Sequence, residues 1–298
     1  MPSFEIFSAA RLRDFPVLRA AVRRSLALLN PDRIVVAVPT GDVKAVQGGL
    51  GSDVMVIDEN SLLSNFDRTG FQRRPIPYFP QSFGWYLQQI LKFEYCRQTE
   101  AAHCLVWDAD TVPLQSIEFF DGEGRIYLTS AAEYHEPYFY TFERLIGRAA
   151  PSANSFISQH MLVRCASMRS LCRKIEQHHA KSWTDALGDI LEKHPARRNL
   201  FSEYETYANY MLLYEPESVR VRELTWARCE NAQAWALSEK ALRDACREGG
   251  DFAAYESKDA AWSRIFLKSL EKAPSALKRI AVRVALRRAA AGACRASD

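Results

Sequence analysis

Leu105-Val106-Trp107-Asp108-Ala109-Asp110-Thr111 is the stretch on which the reading of this chain turns. An apolar run of strand length stops at two carboxylates two residues apart. Ionised groups at the mouth of a buried strand repel one another unless positive charge lies beside them, and a divalent cation is the simplest such partner. Ligands that are all oxygen select Mg2+ or Mn2+ over zinc, and these ions usually share their coordination shell with substrate phosphates. A bare Asp-x-Asp arises by chance in many chains, with a solvated turn as its plain alternative, so its surroundings decide.

Upstream, strand and helix patterns alternate. Residues 4–8 read as a first strand. Asp14 is a candidate cap and Pro16 a first-turn residue for a helix in which Leu18, Val22, Leu26 and Leu29 recur at helical spacing. The apolar run 34–38 is a second strand, 41–51 a turn-rich connection, and 54–58 a third strand ending in Asp58. Residues 64–82 mix aromatics, prolines and arginines without periodicity and read as an ordered surface loop. A helix follows from about 83 to 99, with Ser82 as its candidate cap, and then the strand 103–107. This alternation predicts an α/β fold with a mostly parallel sheet, whose ligands bind outside the carboxyl ends of the strands, where Ser8, Asp58 and Asp108 fall.

Downstream the pattern is less regular. Strands are expected at 125–129, 160–164 and 219–224, and helices at 166–177, 182–193, 203–213 and 232–246. An aromatic and acidic stretch, 133–143, and a linker, 151–155, separate the first two of these strands.

Composition narrows the class. With 298 residues, 48 % of them apolar and 25 % charged, the chain is globular rather than disordered or fibrous. No apolar run has the roughly 18–20 residues of a membrane-spanning helix, and the N-terminus lacks a signal-peptide layout, so a cytoplasmic protein is expected. Seven scattered cysteines without a Cys-x-x-Cys pair argue against a disulfide scaffold and a structural zinc site. The net charge of +3 is uneven. From Lys272 onward there are seven basic residues against Asp298 alone, and the body is mildly acidic. No basic face with interleaved aromatics marks a nucleic-acid binder. The basic, alanine-rich segment 275–293 reads as a helix suited to an anionic membrane surface on the inner face of the cell, or as a plain terminal helix. The expected organisation is one domain over 1–250 and a helical extension over 251–298.

Two enzyme classes use an acidic pair of this kind. Haloacid-dehalogenase-like phosphatases employ Asp-x-Asp-x-Thr, which here would make Asp108 the nucleophile and Asp110 the acid. That motif normally opens its fold, whereas this chain spends a hundred residues on earlier strands. Nucleotide-sugar glycosyltransferases of the GT-A fold place the pair after the fourth strand, as here. The helix before it, Gly84-Trp85-Tyr86-Leu87-Gln88-Gln89-Ile90-Leu91-Lys92-Phe93, has Leu87, Ile90 and Leu91 as its apolar stripe. Trp85, Gln88 and Lys92 share another face, and Gln89 reads as part of a solvated one.

Four blocks in order carry a resemblance: residues 84–93, residues 105–114, Phe156-Ile157-Ser158-Gln159-His160-Met161 and Phe201-Ser202-Glu203-Tyr204-Glu205-Thr206-Tyr207. Over residues 4–235 the chain resembles an uncharacterised family of bacterial GT-A-type glycosyltransferases linked to surface polysaccharides. The resemblance implies a metal-dependent transfer of a sugar from a nucleoside-diphosphate donor to a glycan or lipid-linked acceptor, of hexosyltransferase type, inverting if an acid serves as base and retaining if none does. Asp108 and Asp110 would hold Mn2+ or Mg2+ and the diphosphate, Ser8 and Asp58 the base and ribose, and Lys92 the phosphates. Ser202 and Glu205 form a capping-box pattern in which Glu205 reaches back to the Ser202 amide. Glu203, on the first turn, has no such structural explanation and is the preferred general base. His160 is a candidate third metal ligand, against the alternative of a satisfied, half-buried residue. The aromatics Tyr134, His135, Tyr138, Phe139, Tyr140 and Phe142 suit stacking on sugar rings or, for at least half, core filling. The rival readings are the phosphatase and a non-catalytic nucleotide-sugar-binding protein.

Overall fold

The computed structural model describes residues 2–196, 198–230 and 250–256. In chain order the first elements are β1 (Glu5–Ala9), α1 (Phe15–Leu28), β2 (Ile34–Val38), α2 (Val43–Leu50), β3 (Val54–Asp58), α3 (Arg68–Gln72), α4 (Phe79–Gln98) and β4 (His103–Trp107). There follow β5 (Thr111–Pro113), β6 (Ile126–Ser130), α5 (Glu136–Ile146), β7 (His160–Arg164), α6 (Cys165–His179), α7 (Trp183–Glu192) and α8 (Glu203–Tyr214). The last strands are β8 (Val219–Glu223), β9 (Trp226–Glu230) and β10 (Phe252–Glu256). The helix expected at 232–246 and the basic segment 275–293 lie outside the described residues. Among those described, no helix is long and apolar enough to cross a membrane.

The described residues form two compact units interleaved along the chain. One comprises residues 1–9, 59–107 and 119–223. Its strands run in the order β1-β4-β7, with β1 parallel and β7 antiparallel to β4. Every residue of β1 is buried, and so are four of five in β4 and in β7, which is why these strands read as continuous apolar runs rather than alternating ones. Helix α4 packs on β1 and α6, and α8 packs on α4, α5 and α6. A second strand pair, β6 and β8, is parallel. The cysteines Cys96, Cys104, Cys165 and Cys172 are free and buried, and act as small hydrophobes.

The other unit comprises residues 10–58, 108–118 and the chain from 224. Here β2 and β3 pair in parallel from Ile34 opposite Val54 to Val38 opposite Asp58. Strand β10 lies between β5, antiparallel to it, and β9, parallel to it. Helix α1 covers β5 through Val17 and Ala21 against Val112 and Leu114. Its Arg24 donates to the carbonyls of Pro113 and Leu114 at 2.6 and 2.7 Å.

The fold class is the expected one, α/β with mostly parallel strand pairing and flanking helices. Three local expectations are corrected. The connection 41–51 is largely a helix, α2, whose glycines hid its period. Residues 64–82 contain α3, capped by Asp67 accepting from the Gly70 amide at 2.8 Å, and the start of α4. Arg74, just after α3, is tied to Asp189 and Glu192 of α7 at 2.8 and 2.7 Å. Helix α4 begins at Phe79 rather than near 83, so Ser82 is not its cap; Ser82 Oγ donates to the Tyr78 carbonyl instead.

The glycines of α2 are not equivalent. A Cβ at Gly49 would run into Cζ of the buried Phe15, whereas one at Gly48 would meet nothing within 4 Å. Gly49→Ala should therefore cost about 1–3 kcal/mol through overpacking, and Gly48→Ala should be neutral or stabilising by up to about 1 kcal/mol. Thermal denaturation of the two variants side by side checks this; equal effects would contradict the packing of α2 on Phe15.

Candidate active site

In the first unit two of the sequence-selected residues, Lys92 and Glu203, meet at the start of α8. Ser202 is its N-cap and accepts from the Glu205 amide at 3.2 Å. Gln89 of α4 reaches across to accept from the Glu203 amide at 3.0 Å, so a second orphan amide of this helix start is satisfied by a different helix. Gln89 is thus buried, which corrects its assignment to a solvated face. Lys92, one turn further along α4, places its ammonium 2.5 Å from Glu203 Oε1 and 3.1 Å from the Tyr204 hydroxyl, and lies over the Tyr204 ring at 4.6 Å. Lys92 and Glu203 are both buried. The lysine expected at the phosphates has the expected base as its partner in this unit.

Glu205 departs from the capping-box expectation in its second half. Its Oε1 accepts from the Ser155 hydroxyl and the Phe156 amide, both at 2.8 Å, and so fastens the segment leading into β7 instead of returning to Ser202. Burial pushes its carboxyl up to about 7 from an ordinary 4.5, against the lowering effect of those two bonds. Because the folded value is raised, the stabilising protonated form is fully present below about 4.5 and is lost as pH rises through about 7. Glu205→Gln, which keeps the acceptor oxygen, should lose no stability at pH 8 and gain up to about 3 kcal/mol there relative to the parent, with the gain vanishing near pH 4. Melting temperatures across that range test it, and a pH-independent difference would contradict it.

His160 is fully buried. Its Nδ1 lies 2.8 Å from the Ser158 carbonyl, to which it donates, and its Nε2 lies 3.3 Å from the Thr129 hydroxyl. Burial, with Arg222 second, pushes the ring down to about 3, so it is a neutral imidazole with both nitrogens engaged. That environment gives it the structural explanation that the sequence held open beside the metal-ligand reading. Ser8 is also buried, and its hydroxyl donates to the Trp107 carbonyl at 2.7 Å, immediately before the acidic pair in sequence.

In the second unit Asp58 ends β3 and accepts from the Thr40 hydroxyl at 2.7 Å. Asp108 and Asp110 are half-buried in the tight turn between β4 and β5. The Thr111 amide donates to the Asp108 carbonyl at 3.0 Å, and the Tyr255 amide of β10 to the Asp110 carbonyl at 2.8 Å. The turn is therefore held by backbone bonds, and neither carboxylate is needed to make those two bonds. Among the described residues no group of three His, Cys, Asp or Glu side chains is arranged to hold a metal ion. Two carboxylates alone fit Mg2+ or Mn2+, which take one or two protein carboxylates and complete their shell with water and substrate phosphate, and do not fit zinc.

Gln89 and the clamp formed by Glu205 were not legible from sequence, because each depends on a partner dozens of residues away.

Residues 9–260 match the model of a family described as "Family of unknown function (DUF6492)". No curated protein matches the chain. Among solved structures, mouse xyloside xylosyltransferase 1 in its apo form is 14% identical with a TM-score of 0.51, over 86% of this chain and 98% of that one. The galactosyltransferase LgtC, in complex with donor and acceptor sugar analogs, is 15% identical over 92% of this chain and 99% of that one, with a TM-score of 0.47. The first likeness establishes a shared fold, that of GT-A glycosyltransferases, as expected from the sequence.

Proposed function

This chain belongs to the family of unknown function DUF6492, so its reaction has to be read from its own site, and we propose that it is a metal-dependent glycosyltransferase. The observation that supports this most is the Asp108–Asp110 pair closing a buried strand in a chain of this fold. The donor is a nucleoside-diphosphate sugar and the acceptor a hydroxyl of a glycan or lipid-linked glycan, as in polysaccharide synthesis. Domain 1–250 carries the activity, and the extension 251–298 supplies the basic segment for an anionic inner membrane surface.

Asp108 and Asp110 hold Mn2+ or Mg2+, which supplies positive charge for the departing diphosphate. Ser8 and Asp58 serve the base and ribose. Glu203, the partner of Lys92, takes the proton of the acceptor hydroxyl. That oxygen then bonds to the anomeric carbon as the bond from this carbon to the diphosphate oxygen breaks, a single displacement that inverts the centre. Gln89, Lys92 and Tyr204 keep Glu203 in one place, which lowers the entropy cost of the step.

A thermal-shift screen of UDP-, GDP-, CMP- and dTDP-linked sugars with and without Mn2+, repeated on Asp110→Ala, tests the reading. Ligand stabilisation follows mass action, so one donor should raise the melting temperature only when both metal and Asp110 are present. Stabilisation by none of them, or equally in the variant, contradicts the reading.

A further inference from the structure

The first unit carries an aromatic surface that the reaction above does not use. Tyr134 is 60% exposed and stacks on Phe139 with ring centroids 4.8 Å apart and planes 21° apart. Trp85, half-buried near the start of α4, stacks on Tyr138 at 6.4 Å and 25°. His135 joins them, with its ring 4.5 Å from Tyr138 and its Nε2 2.8 Å from the Asn199 carbonyl. Beyond Asn199, the Arg198 guanidinium lies 4.3 Å over the ring of Tyr78, which is 46% exposed. Tyr78 has φ 57°, a left-handed conformation that a bulky residue adopts only under tertiary constraint.

Of the aromatic stretch 133–143, Phe142 and Tyr138 fill the core as the sequence allowed, while Tyr134 does not. An exposed ring that burial does not explain is informative, and this one is already stacked, so little side-chain freedom remains to be lost on binding. Flat ring faces bordered by the exposed carboxylates Glu133 and Glu136 suit a ligand with apolar C–H faces and hydroxyl edges. Those carboxylates disfavour an anionic ligand or an anionic lipid surface. The phenol of Tyr138, the ring on which Trp85 stacks, is raised by burial and then by the charge of Glu203.

We infer that Trp85 and Tyr134 form an acceptor subsite that stacks the rings of a neutral oligosaccharide. This rests on the transferase reading for the word acceptor, but not for the binding. Two stacking faces imply a ligand of at least two rings rather than a single sugar.

The test is calorimetric titration of the full chain with linear hexasaccharides of glucose, mannose, galactose and N-acetylglucosamine. At least one should bind with a Kd of about 1 mM or tighter, Tyr134→Ala should weaken it about fivefold or more, and Tyr134→Phe should stay within about twofold. Tyr134 is exposed, so the parent's melting temperature should persist in both variants and exclude misfolding as the cause. Binding of none of the four sugars, or binding indifferent to Tyr134→Ala, overturns the inference. Nucleotide-sugar stabilisation measured on the same samples separates the two proposals: sugar binding that needs Tyr134 without any donor binding sustains the subsite and refutes the transferase.

Discussion

On the proposed mechanism, Asp110→Asn is expected to reduce sugar transfer by a factor of about 10³ or more, because it removes one of the two charges that would hold a cation against the leaving diphosphate. Asparagine keeps the shape of the side chain, and the bond that ties Asp110 to β10 is made by its backbone carbonyl to the Tyr255 amide, so the turn should survive. Product formation at saturating Mn2+ and donor, with the melting temperature as the fold control, measures the effect. A variant with near-parental transfer would remove Asp110 from the mechanism. The same assay addresses the phosphatase alternative, which the shared fold disfavours: a generic phosphate ester should not be turned over, and Asp108→Asn should change nothing in that background reaction.

Lys92→Met is the second large effect. Both members of the Lys92–Glu203 pair are nearly enclosed, with side-chain exposures of 4% and 8%. Removing one partner leaves a buried charge uncompensated and should cost about 3–5 kcal/mol, whereas Lys92→Met with Glu203→Leu should recover much of that loss. Chemical denaturation of the four proteins in a double-mutant cycle gives the coupling. The recovered double variant then separates two roles for Glu203. If the glutamate is the general base, this stable protein is inactive; if the pair is only structural, it transfers sugar normally.

What the sequence made legible follows from where each signal resides. Strands β2, β4 and β7 were bounded correctly because strands buried on both faces read as unbroken apolar runs, and β3, though half-exposed, because its run is apolar up to Asp58. In α7 and α8 the serines at 182 and 202 announce the helix starts, and both accept from the amide three residues on. Helix α2 was hidden by Gly48 and Gly49, one of which is there for Phe15, a contact no local pattern contains. The start of α4 was hidden by Pro80, which fits a first helical turn, and by the left-handed Tyr78 before it. Strand β5 is only three residues long and exists through pairing with β10, more than a hundred residues away, while β10 also pairs with β9. In the candidate site, Asp108 and Asp110 stood out because carboxylates after a buried strand are anomalous locally. Asp14 shows the limit of such reasoning: it precedes α1 as a cap should, yet its carboxylate accepts from the Arg11 amide rather than from the helix it precedes.

Diffraction from crystals soaked with Mn2+ and the stabilising nucleotide sugar, recorded at the manganese absorption edge, would locate the cation. One anomalous peak is expected at about 2.0–2.3 Å from carboxylate oxygens of Asp108 and Asp110, beside the donor diphosphate. A donor bound with those two side chains turned away into solvent, or manganese held elsewhere on the chain, would contradict it.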